Sequence, residues 1–192
     1  MSPKDYLAIV HCIAWLKERT RHAWMTSGRQ ESVAEHSWRM ALMAYFLRDE
    51  FPTVDLTRVL LMALLHDMGE VFTGDIPTFE KTDADRRREH ELRDEWIDSL
   101  PAPYAAEVHA LFAEMDAMET EEARLVRALD RMEAVITHNE GDPATWLPLE
   151  YDLQRTYGMK EAAFSPTLKK LRAEVTNEVD EVIAARKEEE TI

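Results

Sequence analysis

Apolar positions recur along the chain at three- and four-residue intervals almost throughout, and nowhere do they alternate for long enough to make a half-buried strand. The first stripe, Tyr6, Ile9, Val10, Ile13 and Leu16, predicts a helix with Ser2 as N-cap and Pro3 in its first turn, ending in the basic residues Lys17, Arg19 and Arg21. A polar segment, Thr20 to Gln30, leads into Ser32-Val33-Ala34-Glu35. There the Ser hydroxyl and Glu carboxylate can satisfy each other's free backbone donors, so a second helix starts at Ser32 and runs toward Pro52. From Asp55 to Gly69 the run Val59 to Leu65 is apolar on every side, which predicts a buried central helix. A fourth helix, from Thr82 or Asp83, turns Leu92, Trp96 and Ile97 inward. Pro101 and Pro103 separate it from a fifth around Val108 to Met115, and Thr120 caps a sixth that stops at Asn139 and Gly141. After Trp146-Leu147-Pro148 comes a short helix to Gly158, and Ser165-Pro166 opens a last amphipathic helix with Leu168, Leu171, Val175, Val179 and Val182. Its charged tail, Lys187 to Glu190, is expected to fray. The class is all-α. With no repeat or composition break, one domain is expected over residues 1–192, its core at about 6–158 and its C-terminal helix at about 165–187.

Composition narrows the partners. The 192 residues carry a net charge of −15, which would repel a polyanion, because nucleic-acid affinity comes from neutralising phosphates with Lys and Arg. No DNA or RNA partner is expected, although a single nucleotide stays possible. No apolar run is long enough to span a bilayer, so no membrane partner is expected, and the one cysteine, Cys12, fits a reducing compartment. The expected location is the cytoplasm.

The candidate chemistry starts where the apolar run Val59 to Leu65 passes into His66-Asp67. An unpaired charge at the end of a buried helix is costly, and a divalent cation removes that cost, since neutral imidazole and ionised carboxylate are its natural ligands. Two ligands rarely suffice. His36 lies one turn into the second helix on the face of Met40, Met43 and Leu47. Asp130 lies mid-helix on the face of Ala123, Val126 and Ala134. Taken singly, each has an ordinary reading as a core histidine or a helix cap.

Together, the order His, then His-Asp, then Asp, all on helices, resembles the HD superfamily of metal-dependent phosphohydrolases. The stretches Arg29 to Arg39, Leu64 to Pro77 and Leu125 to Glu133 are similar to its 5'-deoxynucleotidase branch, over roughly Val10 to Tyr157. The resemblance implies an all-α bundle, often a homodimer, that removes the 5'-phosphate from deoxyribonucleoside monophosphates. His36, His66, Asp67 and Asp130 would hold one divalent metal, which could be Mn, Co, Fe, Mg or Zn. Glu70 and Asp75 would be the acidic catalytic pair, taking a proton from the activated water or protonating the leaving alkoxide, with either role open to either acid. Arg21 and Trp24 match an Arg and a Trp that contact the nucleotide in the branch; here His22-Ala23 separates them, as in its eukaryotic arm, whereas the bacterial arm has them adjoining. Lys81 is a further phosphate candidate. Arg86-Arg87-Arg88 reads as a solvated face.

His90 and His109 would mark a two-metal phosphodiesterase or oxygenase if they approached the metal, but both are expected near the surface. His11, His22 and His138 are expected to be structural or solvent-facing. Two other readings remain: a deoxynucleoside triphosphohydrolase on the same scaffold, and a non-catalytic nucleotide-sensing module, against which Glu70 and Asp75 both speak. The stripe on the last helix suggests a dimer surface or a cover for the protein's own core.

Overall fold

The predicted caps fold as hydrogen-bonded helix starts. In the computed structural model, which describes residues 1–189, Ser2 and Asp5 form a reciprocal capping box at the head of α1 (Pro3–Ala14). Ser32 and Glu35 do the same for α2 (Val33–Leu47), and Thr82 and Asp85 for α5 (Asp83–Asp98). Asp55 caps α3 (Leu56–Leu65), and Thr120 caps α7 (Glu121–Glu140). Between them lie the single turn α4 (Glu70–Thr73) and α6 (Tyr104–Ala117). The chain closes with α8 (Glu150–Thr156), the single turn α9 (Met159–Ala162) and α10 (Pro166–Glu189). α10 is continuous past Lys187, and Glu190, the end of the tail expected to fray, lies outside the described residues.

α7 is the spine. Leu125, Val126, Ala128, Leu129, Met132 and Val135 are all buried, and α2, α3, α6, α9 and α10 pack around it. The all-α class therefore holds, but α3 is not buried all round. Val59, Met62 and Ala63 face the core, while Leu61 and Leu64 are each 45% exposed. Nor does α1 bury its stripe, because only Leu16, in the 3-10 turn after it, enters the core, leaving Tyr6, Val10 and Ile13 exposed. The last helix covers the protein's own core, with Leu168, Val175, Val179 and Ile183 buried.

The segment between α1 and α2 is not a plain polar loop. It folds into an antiparallel hairpin of β1 (Thr20–Trp24) and β2 (Gln30–Ser32), in which Thr20 pairs with Ser32 and Trp24 with Gln30. The strands are five and three residues long, too short for alternation to register in the sequence. Two contacts fix the hairpin against the helices. Arg19 donates from Nε to the carbonyl of Val71 at 2.9 Å. At the other end, the backbone of Trp24 lies so close to Gly141 that a Cβ there would sit 2.2 Å from the Trp24 carbonyl oxygen, so only glycine fits. No helix of the described residues is long and apolar enough to cross a membrane.

Candidate metal centre and cleft

α3 delivers His66 and Asp67 in the turn after its last residue, α2 delivers His36 from its first turn, and α7 delivers Asp130 from its middle. His36 is fully buried, whereas His66, Asp67 and Asp130 keep 11–18% of their side-chain surface. The two imidazoles lie 5.3 Å apart between ring centres. His66 Nε2 is 3.0 Å from the Asp67 carboxylate, and His36 Nε2 is 3.4 Å from Asp130 Oδ1 and 3.8 Å from Asp67 Oδ2. Asp130 Oδ1 is also 3.9 Å from His66 Nε2. Metal–ligand bonds of about 2.1 Å put neighbouring ligand atoms about 3 Å apart, so these spacings suit a first-row or similar divalent cation.

Two further observations favour a cation here. Both Nε2 atoms are buried with no hydrogen-bond partner, an arrangement that natural interiors avoid unless something occupies the lone pair. Each Nδ1 is tied from behind. His66 Nδ1 donates to the Ala63 carbonyl at 2.9 Å, and His36 Nδ1 donates to Glu133. A ring that donates from Nδ1 presents Nε2 as a lone pair, which is how a metal-ligating histidine is oriented.

Glu133 is a residue that sequence reasoning missed, although its signal was present: a glutamate three positions after Asp130 on the buried side of α7, between Met132 and Val135. Its other oxygen accepts from Arg39 Nε at 2.8 Å and from the Thr137 hydroxyl at 3.0 Å. Despite burial, the charges and hydrogen bonds of His36, Arg21 and Arg39 hold its carboxyl down at about 2. Glu31 stands beside it, 3.2 Å from Arg21 Nε. Burial and the neighbouring Glu133 push Glu31 up to about 7. Glu31, His36 and Glu133 are close enough to hold a cation of their own. Arg21 and Arg39 already neutralise that pocket, however, and a further positive charge there would be repelled.

Glu70 and Asp75 both line the cleft in front of the His–Asp cluster. Glu70 is 4% exposed, and burial, together with the charges of Asp67 and Asp75, raises it well above the usual carboxylate range. Lys81 sits between Glu70 Oε1, at 3.7 Å, and Glu89 Oε2, at 2.5 Å. Glu89 in turn packs on Gly69, where a Cβ would come within 2.5 Å of Glu89 Cγ. The bare glycine thus lets α5 close on the His66–Glu70 turn. Arg21 reaches the cluster from β1, with Nη1 3.7 Å from Asp67 Oδ2. Burial opposes its charge, but the carboxylates of Asp75, Glu133, Asp67 and Glu31 outweigh that and hold it fully cationic. Arg127, one turn before Asp130 on α7, and Arg131, the residue after it, each come within 3.8 Å of Asp130 Oδ2.

The cleft measures about 250 Å³. The fold brings Arg21, Lys81, Glu70 and Asp75 into its wall, but not Trp24, whose ring packs edge-on against His22 at 4.9 Å. His22 and His138, expected to be structural or solvent-facing, do line it. Exposed His90 sits on its rim with Arg86, while His109 lies away from it, bound to Asp98 at 2.8 Å. His11 is exposed.

Comparison with known proteins agrees with this architecture. The "5'-deoxynucleotidase HDDC2" of Bos taurus is 31% identical over 141 residues, covering 71% of this chain and 68% of that protein. A solved structure described as a predicted metal-dependent phosphohydrolase, from Magnetospirillum magnetotacticum MS-1, superposes with a TM-score of 0.77 at 28% identity, covering 93% of each chain. The fold alone is shared with the HD phosphohydrolase DatZ of cyanophage S-2L, solved with dA and one catalytic Zn2+ ion, at 23% identity and a TM-score of 0.57 over 91% of this chain and 96% of that one. The HD domain family model matches residues 13–172, and the chain belongs to that family.

Proposed function

We propose that this protein is a metal-dependent phosphohydrolase that removes the 5'-phosphate from deoxyribonucleoside monophosphates. The observation that carries the reading is the pair of buried Nε2 lone pairs, His36 and His66, converging with Asp67 and Asp130 at the floor of a cleft walled by acids and cations. These four would hold one divalent ion, and the donor set does not choose among Mn, Co, Fe, Mg and Zn. When bound, the ion supplies Lewis acidity, lowering the pKa of a water and offsetting the phosphate's charge.

The chain's own groups would do the rest. Arg21 and Lys81, with Arg127 and Arg131 from α7, gather positive charge at the cleft of a protein whose net charge is −15, which lets a phosphate dianion approach. Glu70, buried beside Asp67, would take the proton from the attacking water. Burial and the charges of Asp67 and Asp75 raise its affinity for protons above that of an ordinary carboxylate, which is what a general base requires. Asp75, across the turn that follows α4, would return a proton to the leaving 5'-oxygen or orient the water. Trp24 would act on the nucleotide through His22, on which it packs. A single cysteine and a small nucleotide substrate fit a cytoplasmic enzyme.

The working unit would be a homodimer. Its surface is not the last helix, whose stripe is buried, but the exposed apolar residues of α1, α2 and α3: Tyr6, Val10, Trp38, Leu42, Phe46 and Leu61 among them. Exposed apolar residues on neighbouring helices mark an association surface when they gather in one patch.

The test is phosphate release, with Mn or Co added, from dNMPs, NMPs and dNTPs, with inorganic phosphate separated from triphosphate by ion exchange. Phosphate from dNMPs is expected. Triphosphate from a dNTP, or no release from any substrate, would overturn the reading.

A further inference from the structure

Of the cluster around Glu150 on the cleft wall, the chemistry uses only the His22 ring on which Trp24 packs. Glu150, the first residue of α8, is 1% exposed, and its carboxylate accepts from three sides. Oε2 takes the backbone N–H of Leu147 at 2.7 Å and lies 3.3 Å from His22 Nε2; Oε1 lies 3.2 Å from His138 Nε2. Burial opposes its charge, but the His138 hydrogen bond and the Leu147 N–H outweigh that and keep it below its ordinary value. An ionised carboxylate facing an imidazole nitrogen fixes the tautomer, so His22 donates from Nε2. Its Nδ1 keeps a lone pair with no hydrogen-bond partner among the described residues. Trp24 and Phe79 hold the ring edge-on, at 4.9 and 5.9 Å.

The position of this cluster suits one part of a nucleotide. His22 follows Arg21 on β1, and Arg21 reaches Asp67. On α7, Asp130, Ala134 and His138 all line the cleft, so His138 stands about 12 Å from Asp130 along the helix. That is about the reach from a phosphate at the ligand cluster to the far side of its nucleoside.

We propose that His22 is a specificity-determining residue, whose Nδ1 accepts a hydrogen bond from an O–H or N–H of the bound nucleoside, and that Glu150 is the positioning residue that holds it. The proposal rests on the nucleotidase reading. The donor is a sugar hydroxyl or an exocyclic base amine, and a phosphate ester without a nucleoside offers neither in this place.

Two measurements test it. In the first, calorimetry follows deoxyadenosine binding to the wild type and to His22→Ala. In the second, KM and kcat are measured for dAMP, for 2',3'-dideoxy-AMP, which lacks the hydroxyl, and for dTMP, which lacks the exocyclic amine. His22→Ala should weaken deoxyadenosine and raise the KM for dAMP about tenfold, the loss of one hydrogen bond to a ligand, with kcat little changed. His22→Gln, which keeps a donor for Glu150 and an acceptor for the ligand, should recover most of that loss. Glu150→Gln should move KM in the same direction by less. If the hydroxyl is the donor, the dideoxy substrate is the one indifferent to His22→Ala; if the amine is, dTMP is. A fall in kcat shared by all substrates with KM intact, or no change in KM for any, would overturn the proposal. Wild-type protein that binds deoxyadenosine through His22 yet hydrolyses no monophosphate would leave His22 standing and overturn the nucleotidase reading instead.

Discussion

Asp67 and Glu70 lie three residues apart and should fail in different ways. Asp67→Ala removes a carboxylate that faces both imidazoles, so the protein should lose its metal and its activity together, read by metal content after dialysis. Glu70→Gln keeps the shape and leaves the four ligand residues untouched. It should retain the metal and lose turnover by about 10²–10⁴-fold. A Glu70→Gln protein with wild-type turnover would remove Glu70 from the mechanism. The pH profile carries a second check. Glu70 acts when ionised, and burial raises the pH at which it ionises, so activity should rise with pH on a limb above the ordinary carboxylate range. A cation would cancel part of the Asp67 charge but none of the burial, so the limb would come down without vanishing. Glu133→Gln tests the orienting shell: metal affinity should fall about 10–100-fold in a metal titration while the fold persists. The ligand residues were legible because two histidines and two aspartates sit at places where a helix should be apolar. Glu133 and Glu31 were less so, because a lone acidic residue in a helix or loop reads as solvated until the fold shows what it faces.

At the scale of elements, the caps Ser2, Ser32 and Thr120 were the most legible features, since a cap is a local bargain among four residues; of the three reciprocal boxes only Ser32–Glu35 was read from the sequence. Ser32→Ala should cost about 1 kcal/mol and loosen the first turn of α2, which carries His36. Its partner Glu35 is held down at about 2 by the Arg29 hydrogen bond, against some burial, and by the N–H and hydroxyl of Ser32. The folded value lies below the unfolded 4.5, so the stabilisation is complete above pH 4.5 and is lost as pH falls toward 2. Glu35→Gln should therefore be less stable than wild type at pH 7 and indistinguishable from it near pH 2, by denaturant titration. A constant gap across that range would mean that the carboxylate's charge contributes nothing. What periodicity could not say was what each apolar face meets. The stripe on α1 and the leucines of α3 read as core, because a helical period marks a face that avoids water without naming its cover. The hairpin escaped for another reason: its strands are shorter than the pattern that would announce them. That mattered, because β1 is what brings Arg21 and His22 to the cleft.

Taken as a whole, the molecule sets a strong mutual repulsion against a set of large exposed apolar side chains. Two copies at −15 each repel at distances beyond contact, and at physiological ionic strength that repulsion is screened within about 8 Å. Association must then come from a local apolar match. On α2, Trp38 at 60% exposure, Leu42 and Phe46 at 76% lie on one face, and α3, which packs against α2, leaves Leu61 and Leu64 exposed. A two-fold dimer uses the same patch on both copies, so one substitution is felt twice. Phe46→Glu should turn a dimer into a monomer in sedimentation velocity, and raising the salt should strengthen the wild-type dimer, since screening weakens the repulsion and leaves the apolar contact. No step assigned to the cleft calls for a residue of a second copy, so the monomeric variant should keep its metal content and its kcat per site. A wild-type chain that sediments as a monomer across micromolar concentrations would remove the dimer. A Phe46→Glu monomer without activity would mean that the second copy supports the cleft, and the connection would run through α2, the helix that carries both Phe46 and His36.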